Sequence, residues 1–237
     1  MAYERHIAEK NGGKRPKREG FIMERIASID NLREADKEAQ RGKAKRLIYV
    51  KGQPKRIPNK HIRRHNLNAE AELRKLQLMI LTLHFPDPGF LSDFIKTDAG
   101  KVREIIKQHF FPWRILQHAI MRVVSPYIFK SLIMDTCACI KGKGLHFGVQ
   151  RVKKKLRRHP ELKWFWKTDF KKYYQSLPHE LVRQGFESLF KDKLFLQLID
   201  MVVLCYDSGD GIQEQLEQEI KKNERNPYWG SIKPNHR

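Results

Sequence analysis

Apolar residues recur at helical spacing in the first half of the chain and predict two amphipathic helices there. The first is predicted over 21–40 and is closed by Gly42. Its apolar positions are Phe21, Ile22, Ile26, Ile29 and Leu32. The second is predicted over 68–83, and Pro86 and Pro88 follow its end because proline does not continue a helix. Its apolar face consists of Leu73, Leu76, Met79, Ile80 and Leu83.

The same spacing predicts three helices further along the chain. One begins at Pro112 and is expected to end at Pro126. A basic helix follows the glycine-rich section 137–148, with Val149, Val152 and Leu156 opposite its Lys and Arg residues. A long helix is predicted over 178–205.

Two segments are predicted as strands. The residues of about 90–107 indicate a β-hairpin with a glycine-containing loop at 97–100. The aromatic-rich run 163–170 is typical of a buried strand, and Asp169 stands near its end. A carboxylate at that place, followed by two tyrosines, is a candidate metal ligand.

The charge balance of the chain indicates that this helical protein has a polyanionic partner. The chain has 48 Lys and Arg against 27 Asp and Glu, a formal net charge of +21 and a sequence pI near 10.0. Ten of these basic residues and no acid fall within 41–64, a run that favours phosphate contact or a solvated basic loop. No run of 18 apolar residues and no signal-peptide core occur, so we expect no membrane partner and a cytoplasmic location.

The order of the segments resembles the N-terminal half of bacterial and phage-type reverse transcriptases. This group includes diversity-generating retroelements, retrons and group II introns. The resemblance covers about 20–210 and rests on four motifs. They are the hairpin residues Lys101 and Arg103, the helix 114–119, the turn 141–146, and 168–179 with its Asp followed five residues later by an aromatic.

The fold that the resemblance implies is α+β and mostly helical, with the fingers and a partial palm of a right-hand polymerase. A basic arm and helix are expected over 1–64, and fingers with the hairpin over 65–160. A partial palm is expected over 161–211 and a charged helix with a tail over 212–237.

The resemblance also implies a set of site residues. Asp169 and the carbonyl of Phe170 would hold Mg²⁺ or Mn²⁺, which prefer oxygen ligands. Tyr174 would lie under the incoming sugar, and Lys101 with Arg103 would bind the triphosphate. The alternative is that Asp169 is an ordinary strand-end carboxylate, which caps the region of Pro178 or pairs with Lys171.

Partners of such a protein would be an RNA template, a DNA primer and deoxynucleoside triphosphates (dNTPs). Further candidates for nucleic-acid contact share a basic side chain near the glycine-rich turn or on the helices beside it. They are Arg114, Lys141, Lys143, Lys153, Lys154 and Arg157. Charge runs of this kind are also found on merely solvated helix faces.

The chain departs from the family in one decisive respect. The Tyr-x-Asp-Asp sequence that brings two further carboxylates is absent, and the run 206–210 is interpreted as a helix-ending turn. One carboxylate does not hold two cations against water. The sequence therefore predicts a polymerase truncated before its second catalytic segment and inactive alone, or else a non-catalytic basic RNA- or DNA-binding protein derived from the fingers.

Overall fold

The structure, a computed structural model, describes residues 17–50, 53–86, 91–98, 101–170, 173, 177–204 and 218. The described residues form two compact units. The first unit comprises 17–22 with Met121–Leu196, and the second comprises Met23–Ile120 with 197–204 and 218. Each unit is described by itself below.

The described part of the chain is mostly helical, as the sequence predicts, and its strands form two hairpins. The helices are α1 (Ile22–Ala27), α2 (Ile29–Gln40), α3 (Lys60–Leu67), α4 (Ala69–Thr82), α5 (Ile115–Ser131), α6 (Leu145–Arg158), α7 (His179–Leu189) and α8 (Lys193–Leu204). The strands are β1 (Lys45–Val50), β2 (Gln53–Pro58), β3 (Leu91–Asp98) and β4 (Lys101–Lys107). A kinked turn, Phe110–Arg114, precedes α5, and Phe111 within it is extended, with φ −107° and ψ 138°.

The core of the second unit lies between α2 and α4, which pack against each other. Their buried apolar residues are Leu32, Ala35, Ala39, Leu73, Leu76 and Ile80. At the surface, Arg33 donates from Nε and Nη2 to the two carboxylate oxygens of Glu70 at 3.1 and 2.7 Å. The predicted helix over 68–83 is thus confirmed as α4, which ends where Leu83 adopts a left-handed conformation.

The single helix predicted over 21–40 is wrong, because the chain forms α1 and α2 with a break at Ser28. Ser28 has φ −56° and ψ 130°, which is not helical. Phe21 also lies outside both helices, with a positive φ of 55° and an exposed ring. Serine is a common residue immediately before a helix, although the side chain of Ser28 makes no capping hydrogen bond here.

A buried histidine joins three elements of the second unit. His65 on α3 is 2% exposed, and its Nε2 lies 3.2 Å from Oδ1 of Asp36 on α2. Its Nδ1 contacts Oε2 of Glu72 on α4. The ring also meets Phe110 edge-on, with centroids 5.2 Å apart. Burial lowers the pKa of His65, but its hydrogen bonds and charge interactions with Asp36 and Glu72 outweigh burial and place the pKa above 6.5.

Both hairpins are antiparallel, and one of them was predicted. β3 pairs with β4, so that Asp98 stands opposite Lys101 and Lys96 opposite Arg103. A solvated loop was one of the two possibilities that the sequence allowed for the basic run 41–64. In the structure, this run forms β1, β2 and the beginning of α3. The Leu-Ile-Tyr-Val sequence of β1 has high strand propensity, which explains the hairpin.

In the first unit, α5 continues through Pro126 to Ser131, so the predicted helix end at Pro126 is wrong. Proline removes one helical hydrogen bond, but packing on both sides of it compensates. Val123 and Val124 are buried before it. After it, the Tyr127 ring meets Phe190 edge-on, with centroids 5.7 Å apart.

The long helix predicted over 178–205 is also wrong, because the chain breaks between α7 and α8. Asp192 causes this break by serving as a cap for two backbone groups. Its Oδ1 accepts from the N–H of Phe195 at 3.2 Å, and its Oδ2 accepts from the N–H of Ile22 at 2.9 Å. The extended backbone at 190–191 pairs with Glu19, which accepts from the N–H of Lys191 at 2.9 Å.

The buried strand predicted over 163–170 is not formed. The structure shows neither helix nor strand at 162–170, and Trp164, Phe165 and Trp166 are 92, 90 and 91% exposed. A strand requires a neighbour for its backbone N–H and C=O groups. Neither described hairpin extends to this segment, since β1 pairs with β2 and β3 with β4.

Candidate nucleic-acid interface

The helix α6 is the strongest candidate for contact with a polyanion. Its sequence carries six Lys and Arg residues and no acid, and none of its residues is buried. Its apolar residues Leu145, Val149, Val152 and Leu156 are exposed as well. The helix follows the glycine-rich turn, in which Gly142 has a φ of +81° that few other residues adopt.

One acidic residue, Asp135, anchors α6 to the turn before it. Its Oδ1 accepts from Nε of Arg151 at 2.5 Å, and its Oδ2 lies 3.0 Å from Nζ of Lys155. The hydrogen bonds of Arg151 and then Lys155 lower the pKa of Asp135 to about 2. Asp135 therefore stays ionised at neutral pH and offsets one of the two positive charges of this cluster.

The sequence reasoning missed Asp135, although a signal was present. Asp135 is the only acidic residue between Glu104 and Glu161. An isolated acid just before a basic helix is a natural partner for that helix. What the sequence does not reveal is which of the six cations it reaches.

Three of the predicted contact residues remain available on α6. Lys153, Lys154 and Arg157 are exposed, and within the described ranges no carboxylate forms an ion pair with them. Lys153 and Arg157 are four residues apart and lie on one side of the helix. Lys154 is two residues from both Val152 and Leu156, which places it opposite the apolar face. These cations are free to bind phosphates.

The turn supplies two more of the predicted residues. Lys143 donates from Nζ to the carbonyl oxygen of Met134 at 3.1 Å, and its ammonium lies 5.5 Å from the centroid of the Phe147 ring. Lys143 is thus partly engaged in holding the turn. Lys141 is exposed.

The remaining predicted residues lie elsewhere. Arg114, in the second unit, is half-buried and donates from Nε to the carbonyl oxygen of Ala39 at 3.1 Å. Lys101 and Arg103 lie on β4, where the structure describes the backbone register alone. Tyr174 lies outside the described residues.

Asp169 and Phe170, the predicted metal ligands, are both exposed at the end of the segment 162–170. Among the described residues, no group of three or more His, Cys, Asp or Glu side chains is arranged so that it could hold a metal ion. A pair of divalent cations needs more than one carboxylate. The described residues therefore do not form a complete Mg²⁺ or Mn²⁺ site.

Neither a protein-family model nor a curated protein sequence matches this chain. In the part of the chain that the structure describes, every helix is too short or too polar to cross a membrane.

Proposed function

We propose that this chain binds RNA through α6, as the fingers and partial palm of a reverse transcriptase. The parent reaction is RNA-templated DNA synthesis from dNTPs. The observation that supports binding is the exposed group of Lys153, Lys154 and Arg157, which no described carboxylate neutralises. The assignment to reverse transcriptases rests on the sequence motifs at Lys101, Arg103 and 168–179.

The net charge of +21 supports a polyanionic partner over an acidic small molecule. Phosphates along a nucleic acid are evenly spaced, so a helix with several cations contacts several of them at once. Each contact releases counterions, which makes the binding strongly dependent on salt. Since Arg151 and Lys155 already pair with Asp135, we assign the principal contacts to the other cations of α6.

The first test replaces Lys153, Lys154 and Arg157 together by glutamine. We expect weaker binding of a single-stranded oligouridine, and a slope of log affinity against log salt that is smaller in magnitude by about two, since three phosphate contacts are lost. Fluorescence anisotropy titrations at several salt concentrations measure both quantities.

A matched control replaces Arg33, Lys37 and Arg74, which pair with Asp30, Glu34 and Glu70. Both triple variants lower the net charge of +21 by three. The control should keep most of the slope. If both variants change the slope equally, net charge alone explains the binding, and the assignment to α6 is wrong.

The catalytic part of the proposal assigns Asp169 as a metal ligand and Tyr174 as the residue that selects the sugar. When bound, the divalent cations would stabilise the attacking and leaving oxygens. Since the sequence contains no Tyr-x-Asp-Asp, we expect no primer extension by the 237-residue chain alone. A fusion that adds a palm segment with this sequence should extend a DNA primer on an RNA template.

In that fusion, Asp169→Asn should abolish extension while RNA binding is retained. Asp200→Asn, in the helix α8, is the control and should retain extension. Extension by the Asp169→Asn fusion at the rate of the parent fusion would show that Asp169 holds no metal. The chain would then be the non-catalytic RNA- or DNA-binding protein, which is the second candidate function.

A further inference from the structure

The second unit contains a cavity of about 410 Å³, and among the residues that line it only Arg114 was individually predicted from the sequence to contact nucleic acid. It lies where the residues after α2, the first turn of α3 and the kinked turn before α5 meet. Its polar lining consists of Lys43, Asn59, His61, Gln108, His109 and Arg114. Ile62 and Phe110 complete the wall with apolar surface.

Hydrogen bonds hold the walls of this cavity in place. Asn59 donates from its backbone N–H to the carbonyl of Ala44 at 2.9 Å, and from Nδ2 to the carbonyl of Lys43 at 3.3 Å. Arg114 donates from Nε to the carbonyl of Ala39 at 3.1 Å. Phe110 packs against the buried His65. The cavity is therefore pre-organised, which reduces the entropy lost when a ligand binds.

The bond to Ala39 has a consequence for Arg114. Because Nε is engaged, the guanidinium is fixed in orientation while its terminal nitrogens Nη1 and Nη2 keep their N–H donors. A guanidinium fixed in this way suits bidentate contact with a phosphate. Lys43, which is exposed at the rim, adds a mobile point charge.

The chemistry of the lining selects the ligand class. The polar side chains of the wall are cations, imidazoles and amides, and no carboxylate lines the cavity. A divalent cation would find no anionic ligand there, whereas a phosphate, which offers acceptors alone, would find several donors. The volume lies within the range of about 300–1,000 Å³ that is usual for small-molecule sites.

From this arrangement we infer that the cavity bounded by Lys43, His61, His109 and Arg114 binds a phosphate group, presented by an RNA strand or by a free nucleotide. The inference rests on the proposed nucleic-acid binding and adds to it a second contact site, in the other unit from α6. The partly exposed ring of Phe110 gives the base or sugar next to that phosphate an apolar surface to pack on.

The test uses the full chain with Lys43→Gln and His109→Gln combined, since both side chains are exposed and their replacement leaves the hydrogen bond from Arg114 to Ala39 intact. The control combines Lys75→Gln and His84→Gln, which are exposed residues of the same types away from the cavity. The probes are a fluorescent oligouridine, uridine triphosphate and uridine. Anisotropy measures the first, and calorimetry measures the other two.

We expect the cavity variant to bind at least one phosphate-bearing probe about tenfold more weakly than the control does, because hydrogen bonds to charged groups are lost. Weaker oligouridine binding identifies a strand phosphate as the ligand, and weaker triphosphate binding identifies a free nucleotide. Equal affinity of the two variants for both probes overturns the inference, as does uridine binding as tightly as uridine triphosphate.

The outcome separates this inference from the proposed function. If the glutamine substitutions on α6 weaken oligouridine binding but those in the cavity change neither probe, the inference alone fails. If the unmodified chain binds neither oligouridine nor uridine triphosphate, the inference and the proposed RNA binding fail together.

Discussion

Replacing Phe190 by alanine is expected to lower the free energy of unfolding by about 3–5 kcal/mol, the range for a fully buried aromatic residue. Phe190 is 0% exposed and stands at the centre of an aromatic cluster in the first unit. The ring centroids of Phe195 and Tyr127 lie 5.0 and 5.7 Å away, both edge-on. Phe186 stacks on it at 6.2 Å. Truncation would remove three ring contacts and leave a cavity.

Chemical denaturation followed by circular dichroism measures this effect. Phe165→Ala is the matched control, because it removes the same atoms from a side chain that is 90% exposed. The control should change the stability by less than about 0.5 kcal/mol. Similar losses in both variants would mean that the cluster around Phe190 does not hold the first unit together.

The second large effect is expected at His65, where replacement by alanine should destabilise the chain by about 3 kcal/mol near pH 5.5. The change would leave Asp36, which is 7% exposed, without its imidazolium neighbour. Gln40 donates from Nε2 to both carboxylate oxygens of Asp36, at 3.1 and 3.0 Å, and would remain as its partner. Breaking one side of a buried ion pair is costly because a charge stays behind.

The difference in the free energy of unfolding between the wild type and His65→Ala should decrease as pH rises. The pKa of His65 is raised in the folded state, so the folded chain binds the proton more tightly than the unfolded chain. The stabilisation is complete below pH 6.5, the ordinary value, and is lost as pH rises through the folded pKa. Asp36 from α2, Glu72 from α4, and the rings of Phe110 and Phe111 face the imidazole.

Denaturation curves of the wild type and His65→Ala near pH 5.5 and near pH 8.5 test this dependence. His84→Ala, an exposed histidine of the same unit, serves as the control and should change the stability by less than about 0.5 kcal/mol. A wild type whose advantage over His65→Ala grows toward high pH would contradict a raised pKa for His65.

The sequence predicts a helix or hairpin correctly where the pattern of apolar, charged or turn residues is long and lies within the element itself. The helix α4 has apolar residues at regular spacing over its whole length, and α6 has six basic residues that alternate with apolar ones at helical spacing. The hairpin of β3 and β4 carries its turn signal within the same segment. In each case neighbouring residues contain the information, so no distant contact is needed to decide the element.

Breaks and burial were less predictable because they depend on distant residues. Asp192 lies between two helices and caps the second, and its Oδ2 accepts from the backbone N–H of Ile22, 170 residues earlier in the chain. The partners of His65 lie on two other helices. The aromatic run 163–170 has the composition of a buried strand, yet composition does not supply the neighbour that such a strand requires.

The residues of the candidate site also divide into those that the sequence identifies and those whose roles depend on distant contacts. Lys153, Lys154 and Arg157 were identified from charge alone, whereas the roles of Asp135 and of the cavity residues Lys43 and His109 depend on the folded chain. The basic run 41–64 contains residues that line that cavity, but its sequence does not predict the shape of the cavity. Charged residues can be identified in a sequence, whereas the side chains that meet in a cavity are known only from the folded structure.

The uncovered rings of Trp164, Phe165 and Trp166 have a practical consequence for handling the protein in solution. Exposed aromatic surface favours adhesion between copies, while the mutual repulsion that accompanies a net charge of +21 keeps them apart. Added electrolyte screens that repulsion over a Debye length of about 10 Å at 0.1 M. We therefore expect a high-salt buffer, which would also weaken the proposed binding to a polyanion, to promote precipitation of the protein.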